Sequence, residues 1–393
     1  MSKNIGVNAS VYKNLPHDWE VLTLEEITQP NAPIRYGVVQ IGEDTPGGVP
    51  IVPIKYINQI DTSTLHRASP KIENKYSGSR IKSDDILLPV KATIGDVGIV
   101  PQGFEGNIAR EIARIRLSEK YDPKFIALQL QSDNTQRRID KLTVGSTRRE
   151  FSIHAVRKFP IAIPKSKNEQ QHISSIIEKW DKAIAVTENL ITAKQHQFEW
   201  LTSRLINQND NWNASPLCKL AKVKKGKQLN RNELEDQGEY PAWNGGITPS
   251  GYTDAWNTPE NTVTISEGGN SCGFVNYARE KFWCGGHCYA IIDLSKKIDA
   301  EFLYHFLKAN QKRIMRLRVG SGLPNIQKKD VDKFEIRYPD ITEQKSIAHT
   351  FNIAQKEITL LQELAAQYRT QKRGLMQKLL SGQWRLTDKK EAA

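Results

Sequence analysis

Apolar residues recur every three or four positions in two long stretches of the chain. In both stretches the apolar positions are spaced alternately by 4 and 3 residues, from Ile173 to Leu205 and from Ile347 to Leu379. Adding 174 to a position in the first stretch gives the equivalent position in the second. This spacing is typical of coiled-coil helices. Because the helices are equivalent, each offers the other a matching apolar surface, and we predict that they pair within the chain.

The predicted seam residues are Ile173, Ile177, Trp180, Ile184, Ile191, Phe198, Leu201, Leu205, Ile347, Phe351, Ile358, Leu361, Tyr368, Leu375 and Leu379.

The repeat extends beyond the helices into the segments that precede them. Trp19 is matched by Trp212 at an offset of 193, whereas Phe159 is matched by Phe334 at an offset of 175. The falling offset places an insertion of about 18 residues inside the first segment. Both segments contain short β-branched runs broken by Gly and Pro, which predict strands and turns, followed by helices over residues 123–142 and 300–318.

The predicted fold is α+β, with two globular α/β domains, two long helices and an internal pseudo-twofold repeat. The predicted boundaries are 1–164 for the first globular domain, 165–208 for its helix, 209–340 for the second domain, 341–386 for its helix, and 387–393 for a disordered tail.

Composition indicates a soluble protein of more than one domain. The chain has 393 residues, of which 38% are hydrophobic and 25% are charged. No apolar run approaches the roughly 20 residues of a membrane span, and the segment MSKNIGVNAS lacks the apolar core of an export signal. We therefore expect a cytoplasmic protein with free thiols. Cys272, Cys284, His287 and Cys288 could ligate zinc, but they lack paired C-x-x-C spacing, so we predict no metal site.

Net charge suggests a polyanionic partner, although charge alone could equally serve solubility. The formal charge is +12, and residues 134–158 hold 7 basic against 2 acidic residues, while 308–337 hold 9 against 3. Both clusters surround a Val-Gly-Ser turn, whose small residues allow close approach to phosphate while flanking arginines neutralise it. A solvated helix face would explain one such cluster. Finding the cluster twice at the same position favours nucleic acid.

No catalytic motif stands out. A P-loop, a G-x-G-x-x-G fingerprint and an H-E-x-x-H motif are all absent from the sequence. Trp243, Trp256, Phe282 and Trp283 are predicted to lie in the core. The candidate DNA-binding residues lie in turns and basic segments: Arg35, Tyr36, Lys91, Thr93, Arg110, Ser146, Arg148, Arg149, Lys227, Asn244, Tyr252, Ser271, His287, Arg318, Ser321 and Asn325.

Several segments together resemble the specificity subunit of Type I restriction-modification systems. They are the Trp-led start LPHDWEVLTLEEI, the helix starts EQQHISSI and EQKSIAHT, and the terminal QKRGLMQKLLSGQW. The segments IRYGVVQIGEDTPGGVPIV and DDILLPVKATIGDVGIV resemble one type of target recognition domain, whereas YPAWNGGITPSGYTDAWN and TISEGGNSCGFVNY resemble another.

The resemblance implies a non-catalytic DNA-binding subunit. Each target recognition domain would read one half of a bipartite, asymmetric target, and the helices would pair antiparallel, set the spacer and hold two modification subunits. The chain itself would need no cofactor. Partner modification and restriction subunits would use S-adenosylmethionine, ATP and Mg²⁺. Two other readings stay open: a coiled-coil adaptor whose globular domains bind proteins, and a nuclease with an unrecognised site.

Overall fold

A computed structural model describes residues 12, 15–144, 149–207, 211–230, 233–320, 322 and 324–386 of the chain. These residues fold into two compact units. Unit 1 comprises residues 1–186 and 365–393, and unit 2 comprises residues 187–364. Each unit therefore contains one globular domain, part of one long helix and part of the other. No helix within the described residues has the length and apolar character needed to cross a membrane.

The first half of the chain contains, in order, β1 (Trp19–Thr23), α1 (Leu24–Ile27), β2 (Arg35–Tyr36), β3 (Val49–Val52), β4 (Arg67–Ala68), α2 (Pro70–Glu73), β5 (Ile86–Pro89), β6 (Gly98–Ile99), β7 (Asn107–Ile108), β8 (Ile112–Ile115), α3 (Pro123–Gln131), α4 (Asp133–Leu142), α5 (Ile153–Arg157), β9 (Pro160–Pro164) and the long helix α6 (Lys167–Thr202).

The second half contains β10 (Asn213–Pro216), β11 (Lys222–Lys225), β12 (Tyr240–Trp243), β13 (Tyr252–Thr253), β14 (Thr262–Ser266), β15 (Val275–Ala278), β16 (Trp283–Cys284), β17 (Cys288–Ile292), α7 (Ala300–Ala309), α8 (Gln311–Met315), α9 (Lys328–Asp332), β18 (Glu335–Tyr338) and the long helix α10 (Ile341–Leu380).

The two globular domains share one strand topology. The first has a four-stranded sheet of order β2-β8-β5-β6, a three-stranded sheet β4-β3-β7 and the pair β1-β9. The second has β11-β17-β14-β15, β13-β12-β16 and β10-β18, which is the same plan strand for strand. In each domain one pair is parallel, β3 with β7 and β12 with β16, and the other pairs of described strands are antiparallel. The predicted α+β fold with an internal repeat is confirmed.

The strand pairs β1-β9 and β10-β18 bring the two ends of each globular domain together. Trp19 lies opposite Pro164 in the first pair, and Asn213 lies opposite Tyr338 in the second. Prolines at these ends stop the ladder because they have no N–H to donate. The chain leaves each domain directly after this strand pair and enters a long helix.

Each domain buries parts of both long helices in its own core. In unit 1 the core contains Phe125 and Phe159 from the domain, Ile177 from α6, and Leu379 from α10. In unit 2 the core contains Phe302 from the domain, Ile347 and Phe351 from α10, and Ile206 that follows α6. The amphipathic helices are thus stabilised by burial against the sheets and helices of the globular domains.

The long helices pair antiparallel within each unit. In unit 1 the ring of Trp180 packs edge-on against Tyr368 at 5.6 Å between centroids, while Leu379, farther along α10, shares a core with Ile177. In unit 2 the ring of Phe198 lies 5.3 Å from that of Phe351, and Lys194 Nζ lies 2.8 Å from Glu357 Oε1. Residue numbers rise along α6 as they fall along α10, and every predicted seam residue is buried or half-buried.

Three predicted helices differ in detail. The helix predicted over 123–142 is two helices, because Ser132 has an extended backbone and its hydroxyl caps α4 by accepting from the N–H of Thr135. The helix predicted over 300–318 is interrupted at Asn310 between α7 and α8. The first long helix is α-helical only to Thr202 and continues as a π-helical turn over Ser203–Asn207. The predicted tail 387–393 lies outside the described residues.

Candidate nucleic-acid interface

A buried glutamate organises the loops at one end of the four-stranded sheet in unit 2. Glu267 follows β14 directly, and its Oε1 accepts hydrogen bonds from Lys225 Nζ at 2.7 Å and from the Tyr289 hydroxyl at 2.9 Å. Its backbone N–H donates to the carbonyl of His287, and its carbonyl accepts from the N–H of Ile326. Burial and the bond to Glu267 raise the pKa of the Tyr289 hydroxyl. The side chain of Glu267 thereby joins strands β11 and β17, and its backbone joins the loops before β17 and α9.

Several predicted residues lie in this loop cluster. Asn244 Oδ1 accepts from the backbone N–H of His287 at 3.2 Å, and the Ser271 hydroxyl donates to the carbonyl of Gly245. Asn325 pairs with Gly268. The backbone N–H of Lys227 donates to the Cys284 carbonyl at 2.9 Å. Asn244 and Ser271 therefore hold the loops, since their side chains bond within the protein.

Other predicted residues of unit 2 point their side chains toward solvent. The side chain of His287 is 61% exposed, and its Nδ1 lies 4.0 Å from Glu267 Oε2, a buried oxygen that has no hydrogen-bond partner among the described residues. Lys227 and Arg318 are exposed. Tyr252 is exposed in β13, where it pairs with Pro241 in the three-stranded sheet. These four side chains are available to a ligand.

The corresponding loops of unit 1 bring three predicted cations to one end of the sheet. Lys91 pairs with Glu150 through the backbone, and their charged groups are 3.4 Å apart. The guanidinium of Arg149 lies 2.8 Å from Asp140. Arg110 donates its N–H to Val38 and its Nε to Glu111. Because these ion pairs lie at the surface, where they are weak, the three cations remain available to phosphate.

The remaining predicted residues fall into two groups. Thr93 is exposed in the loop after β5, and Arg35 and Tyr36 are exposed in β2, the edge strand of the same sheet. Ser146, Arg148 and Ser321 lie outside the described residues.

The basic segment meets the same loop in both domains. In unit 1 the bridges are Lys91 with Glu150 and Val144 with Glu150. In unit 2 they are Gly268 with Asn325 and Val319 with Asn325, which are the equivalent positions of the repeat. The two domains thus present different side chains on the same arrangement of backbone.

The sequence did not correctly predict two features of this site, the role of Glu267 and the position of Trp256. The anchoring role of Glu267 was missed, although an acidic residue directly after the strand TVTIS is a visible signal. The prediction that Trp256 lies in the core was wrong. Trp256 is 46% exposed in the loop between β13 and β14, and Lys281 Nζ lies 4.7 Å from its ring centroid. A loop residue flanked by polar neighbours has no strand or helix to direct it inward.

The cysteine segment is part of the sheet core. Cys272, Cys284 and Cys288 are buried free thiols, and burial raises the pKa of the Cys272 thiol. Cys272 donates to the carbonyl of Glu267 at 3.1 Å. Within the described residues no group of three His, Cys, Asp or Glu side chains is arranged to hold a metal ion.

Comparison with known proteins identifies the family of both halves. The family described as Type I restriction modification DNA specificity domain matches residues 16–193 and matches again over 209–367. The chain belongs to this family. It contains two copies of the domain, and each copy takes in the globular part and most of the long helix that follows.

Relatives in this family carry the name of specificity subunits. A putative type I specificity subunit of Mycoplasma genitalium is 34% identical over 161 residues, which is 40% of this chain and 42% of the relative. The EcoBI specificity subunit of Escherichia coli is 28% identical over 45% of this chain and 37% of its own length. The chain thus matches less than half the length of these two relatives. A putative MjaX specificity subunit of Methanocaldococcus jannaschii is 24% identical over 95% of both chains.

Solved structures share the fold over nearly the whole chain. The crystal structure of the type I restriction-modification S subunit from M. genitalium has a TM-score of 0.66 at 18% identity, covering 96% of this chain and 99% of that one. A second structure is described as the structural basis underlying complex assembly and conformational transition of the type I R-M system. Its TM-score is 0.60 at 15% identity, and the match covers 95% of this chain and 100% of that one.

Proposed function

We propose that this chain is the DNA specificity subunit of a type I restriction-modification complex. The observation that carries the proposal is the pair of specificity domains in one chain, built on one topology and presenting different exposed side chains. Each domain reads one half of a bipartite target. Arg110 in one domain and His287 in the other occupy equivalent loops before β8 and β17, so the two halves of the target differ in sequence.

The charge distribution supports DNA as the ligand. The chain carries a formal charge of +12, and Lys227 and Arg318 in unit 2, like Lys91 and Arg110 in unit 1, lie in loops around the sheet ends. Cations placed in this way bind the backbone, while side chains of the same loops reach base edges. The phosphate contacts fix the register of each domain on the duplex.

The long helices set the spacer between half-sites and dock two modification subunits. In this proposal the chain is not an enzyme. Methyl transfer from S-adenosylmethionine belongs to the modification subunits, and ATP- and Mg²⁺-dependent movement and cleavage belong to restriction subunits. The support for this division is that the exposed candidates are cations, hydroxyls and an imidazole in loops and edge strands, a set suited to binding DNA.

Exchange of one recognition domain tests the proposal. Residues 212–338 are replaced by the corresponding segment of another family member, and the methylome is sequenced in cells that also express the modification partner. One half of the methylated motif should change, while the other half and the spacer stay as in the wild type. The reciprocal exchange of the first domain is the matched control and should change only the other half. Changes in both halves of the motif after a single exchange would contradict the proposal that each domain reads one half.

The salt dependence of DNA binding distinguishes the proposed function from the alternative, a protein-binding adaptor. A DNA specificity subunit should lose affinity for DNA steeply as salt rises, because binding releases counterions from the phosphates. An adaptor should show no sequence-dependent binding to DNA at any salt concentration.

A further inference from the structure

Unit 1 contains a cleft beside the edge strand β2 that the sequence did not reveal. It lies between β2, the turn over residues 74–79 and helix α5, and has a volume of about 320 Å³. Arg35 and Tyr36 line it from the strand, Lys75 and Ser79 from the turn, and Arg157 from α5. The cleft therefore joins three elements that are far apart in sequence.

The charged side chains that line this cleft are all cations. Its lining includes Arg35, Lys75 and Arg157 but no carboxylate. None of these three cations forms an ion pair with another of the described residues. Arg157 donates Nη2 and Nε to the carbonyl of Ile34, at 2.7 and 3.2 Å, so the position of its guanidinium is fixed by the backbone.

Acids of the neighbouring elements are engaged by cations outside the cleft. The bond to Lys158, with a smaller contribution from the charge of Arg157, lowers the pKa of Glu25, whose Oε2 lies 2.9 Å from Lys158 Nζ. Glu73, in the helix just before the turn, binds Arg80 through both carboxylate oxygens. Asp85 binds Arg116 through both of its oxygens in the same way. The three carboxylates are therefore each paired with a cation that does not line the cleft.

A buried arginine behind the cleft adds to the excess of positive charge. Arg114 lies opposite Arg35 across the β2-β8 pair, is 2% exposed, and has an Nε without a hydrogen-bond partner among the described residues. Burial, together with the charges of Arg116 and Arg35, lowers the pKa of Arg114 to about 10. The charge of Asp85 opposes this shift, but burial outweighs it, so the surroundings of Arg114 on balance disfavour the charged form.

The shape of the cleft also suits a small oxyanion. A Cβ at position 78 would lie 2.7 Å from Nη1 of Arg35, so Gly78 lets this guanidinium lie against the turn. The forked donors of arginine match the oxygens of a phosphate, and lysine adds a mobile point charge. The hydroxyl of Tyr36 is a further donor in the lining. The buried hydroxyl of Ser79 is engaged within the protein, by Tyr76 and Asn107.

We propose that this cleft binds a backbone phosphodiester of the DNA that the first recognition domain reads, with Lys75 and Arg157 as phosphate contacts beside Arg35. The inference rests on the proposed function. It follows from position as well as charge, because β2 is the edge of the sheet whose ends carry Lys91 and Arg110. A phosphate contact positions the domain on the duplex and carries no base preference.

The variant Lys75→Gln tests this proposal, since Lys75 is exposed and its replacement leaves the fold intact. The full chain with its modification subunits is titrated with a duplex containing the methylated motif, at salt concentrations from about 50 to 200 mM. Loss of one phosphate contact should lower the slope of log affinity against log salt by about 0.9. Over that fourfold range of salt, the wild type should therefore lose about 3.5-fold more affinity than the variant. Preference for the bases of both half-sites should be unchanged.

The matched control is Lys120→Gln, which removes an exposed lysine outside the cleft and should leave the slope unchanged. If the wild type binds its motif but Lys75→Gln and Arg157→Gln both keep the wild-type slope, the cleft proposal is overturned and the proposed function stands. A variant that instead changes the base preference at the first half-site would show that the cleft reads bases, which also overturns a phosphate site. If the wild type shows no sequence-specific binding, the proposed function fails and the cleft proposal fails with it.

Discussion

Lys308 is a half-buried cation of unit 2 whose ammonium group contacts uncharged groups. Its Nζ donates to the carbonyl of Val275 at 2.9 Å and to Gln311 Oε1 at 3.0 Å, and it lies 3.7 Å from the ring centroid of Phe274. Burial lowers the pKa of Lys308 to about 8 from the ordinary lysine value of 10.5. A lysine whose pKa is lowered on folding makes the stability of the fold depend on pH.

The free energy of unfolding should rise with pH because of Lys308. Between pH 8 and 10.5 the unfolded chain still binds the proton that the folded chain has lost, and stability rises wherever the unfolded state binds more protons. Urea unfolding of the wild type and of Lys308→Met should show the wild type gaining about 1 kcal/mol relative to the variant between about pH 7.5 and 9.5, after allowance for solvent screening. Lys312→Met, at an exposed position, should follow the wild type. Parallel pH profiles for the wild type and Lys308→Met would contradict this account.

At the residue scale, the sequence located the loops but not what each side chain does in them. Asn244, Ser271 and His287 were all predicted from turn chemistry, and all three lie in the loop cluster. Only the tertiary structure shows that Asn244 bonds to a residue 43 positions away, whereas the ring of His287 is exposed. Glu267 was missed because its partners, Lys225 and Tyr289, lie on other strands. The local sequence pattern predicts a turn, but it does not predict contacts that side chains make across the sheet.

At the scale of elements, one glutamine fixes each long helix to its domain. Gln170 Oε1 accepts from the N–H of Asp122 at 2.8 Å, and its Nε2 donates to the carbonyl of Pro164 at 2.9 Å. Gln344 repeats this arrangement with Asp299 and Pro339 at 2.9 Å each. Both glutamines are fully buried. Each side chain therefore joins the closing strand, the start of a domain helix and the start of a long helix.

The variant Gln170→Glu should destabilise unit 1. A carboxylate can still accept from Asp122, but it cannot donate to Pro164, and it places a charge in a fully buried position. We expect a loss of about 3 kcal/mol in the free energy of unfolding at neutral pH, measured by urea denaturation. Protonation restores a donor, so the loss should shrink at acidic pH. The neighbouring Gln171→Glu, at an exposed position, should stay within about 0.5 kcal/mol of the wild type; an equal loss there would rule out the proposed role of Gln170.

The sequence predicted the long helices better than the short elements. The heptad spacing of α6 and α10 is repeated over many turns, so isolated irregular residues such as Thr187 and Lys194 do not obscure it. The break at Ser132 was missed because serine occurs both within helices and at their N-caps, and its backbone conformation decides between the two. Strands such as β2, with two residues, are too short to show any period. Their pairing is decided by the sheet they join.

At the scale of the molecule, the two halves keep a topology that their sequences only partly show. Matching residues such as Trp19 with Trp212 and Phe159 with Phe334 lie where the closing strand pair forms. Between them the loops differ, yet the bridges Lys91 with Glu150 and Gly268 with Asn325 occupy equivalent places. Backbone hydrogen bonds preserve the arrangement without requiring particular side chains. Side chains of these loops are therefore free to diverge, and in the proposed function this divergence sets the bases that each domain reads.

Lengthening both long helices tests whether they set the spacer. Their ends belong to the domain cores, since Leu379 is buried in unit 1 and Phe351 in unit 2. Four residues inserted after Thr187 and four after Leu361, which the repeat makes equivalent, add about 6 Å to each helix. At roughly 3.4 Å per base pair, the methylated motif should gain about two base pairs of spacer.

Methylome sequencing of cells that express the lengthened chain with its modification partner measures the length of this spacer directly. Both half-sites should keep their bases, because the insertions leave the loops around Arg110 and His287 untouched. Four residues are close to one helical turn, so the apolar seam continues beyond the insertion with a small local change in supercoil. The control is Gln197→Ala, which alters an exposed residue of α6 without changing its length and should keep the original spacing. An unchanged spacer in the lengthened chain would refute the proposed role of the helices, and altered half-site bases would refute the separation between spacing and reading.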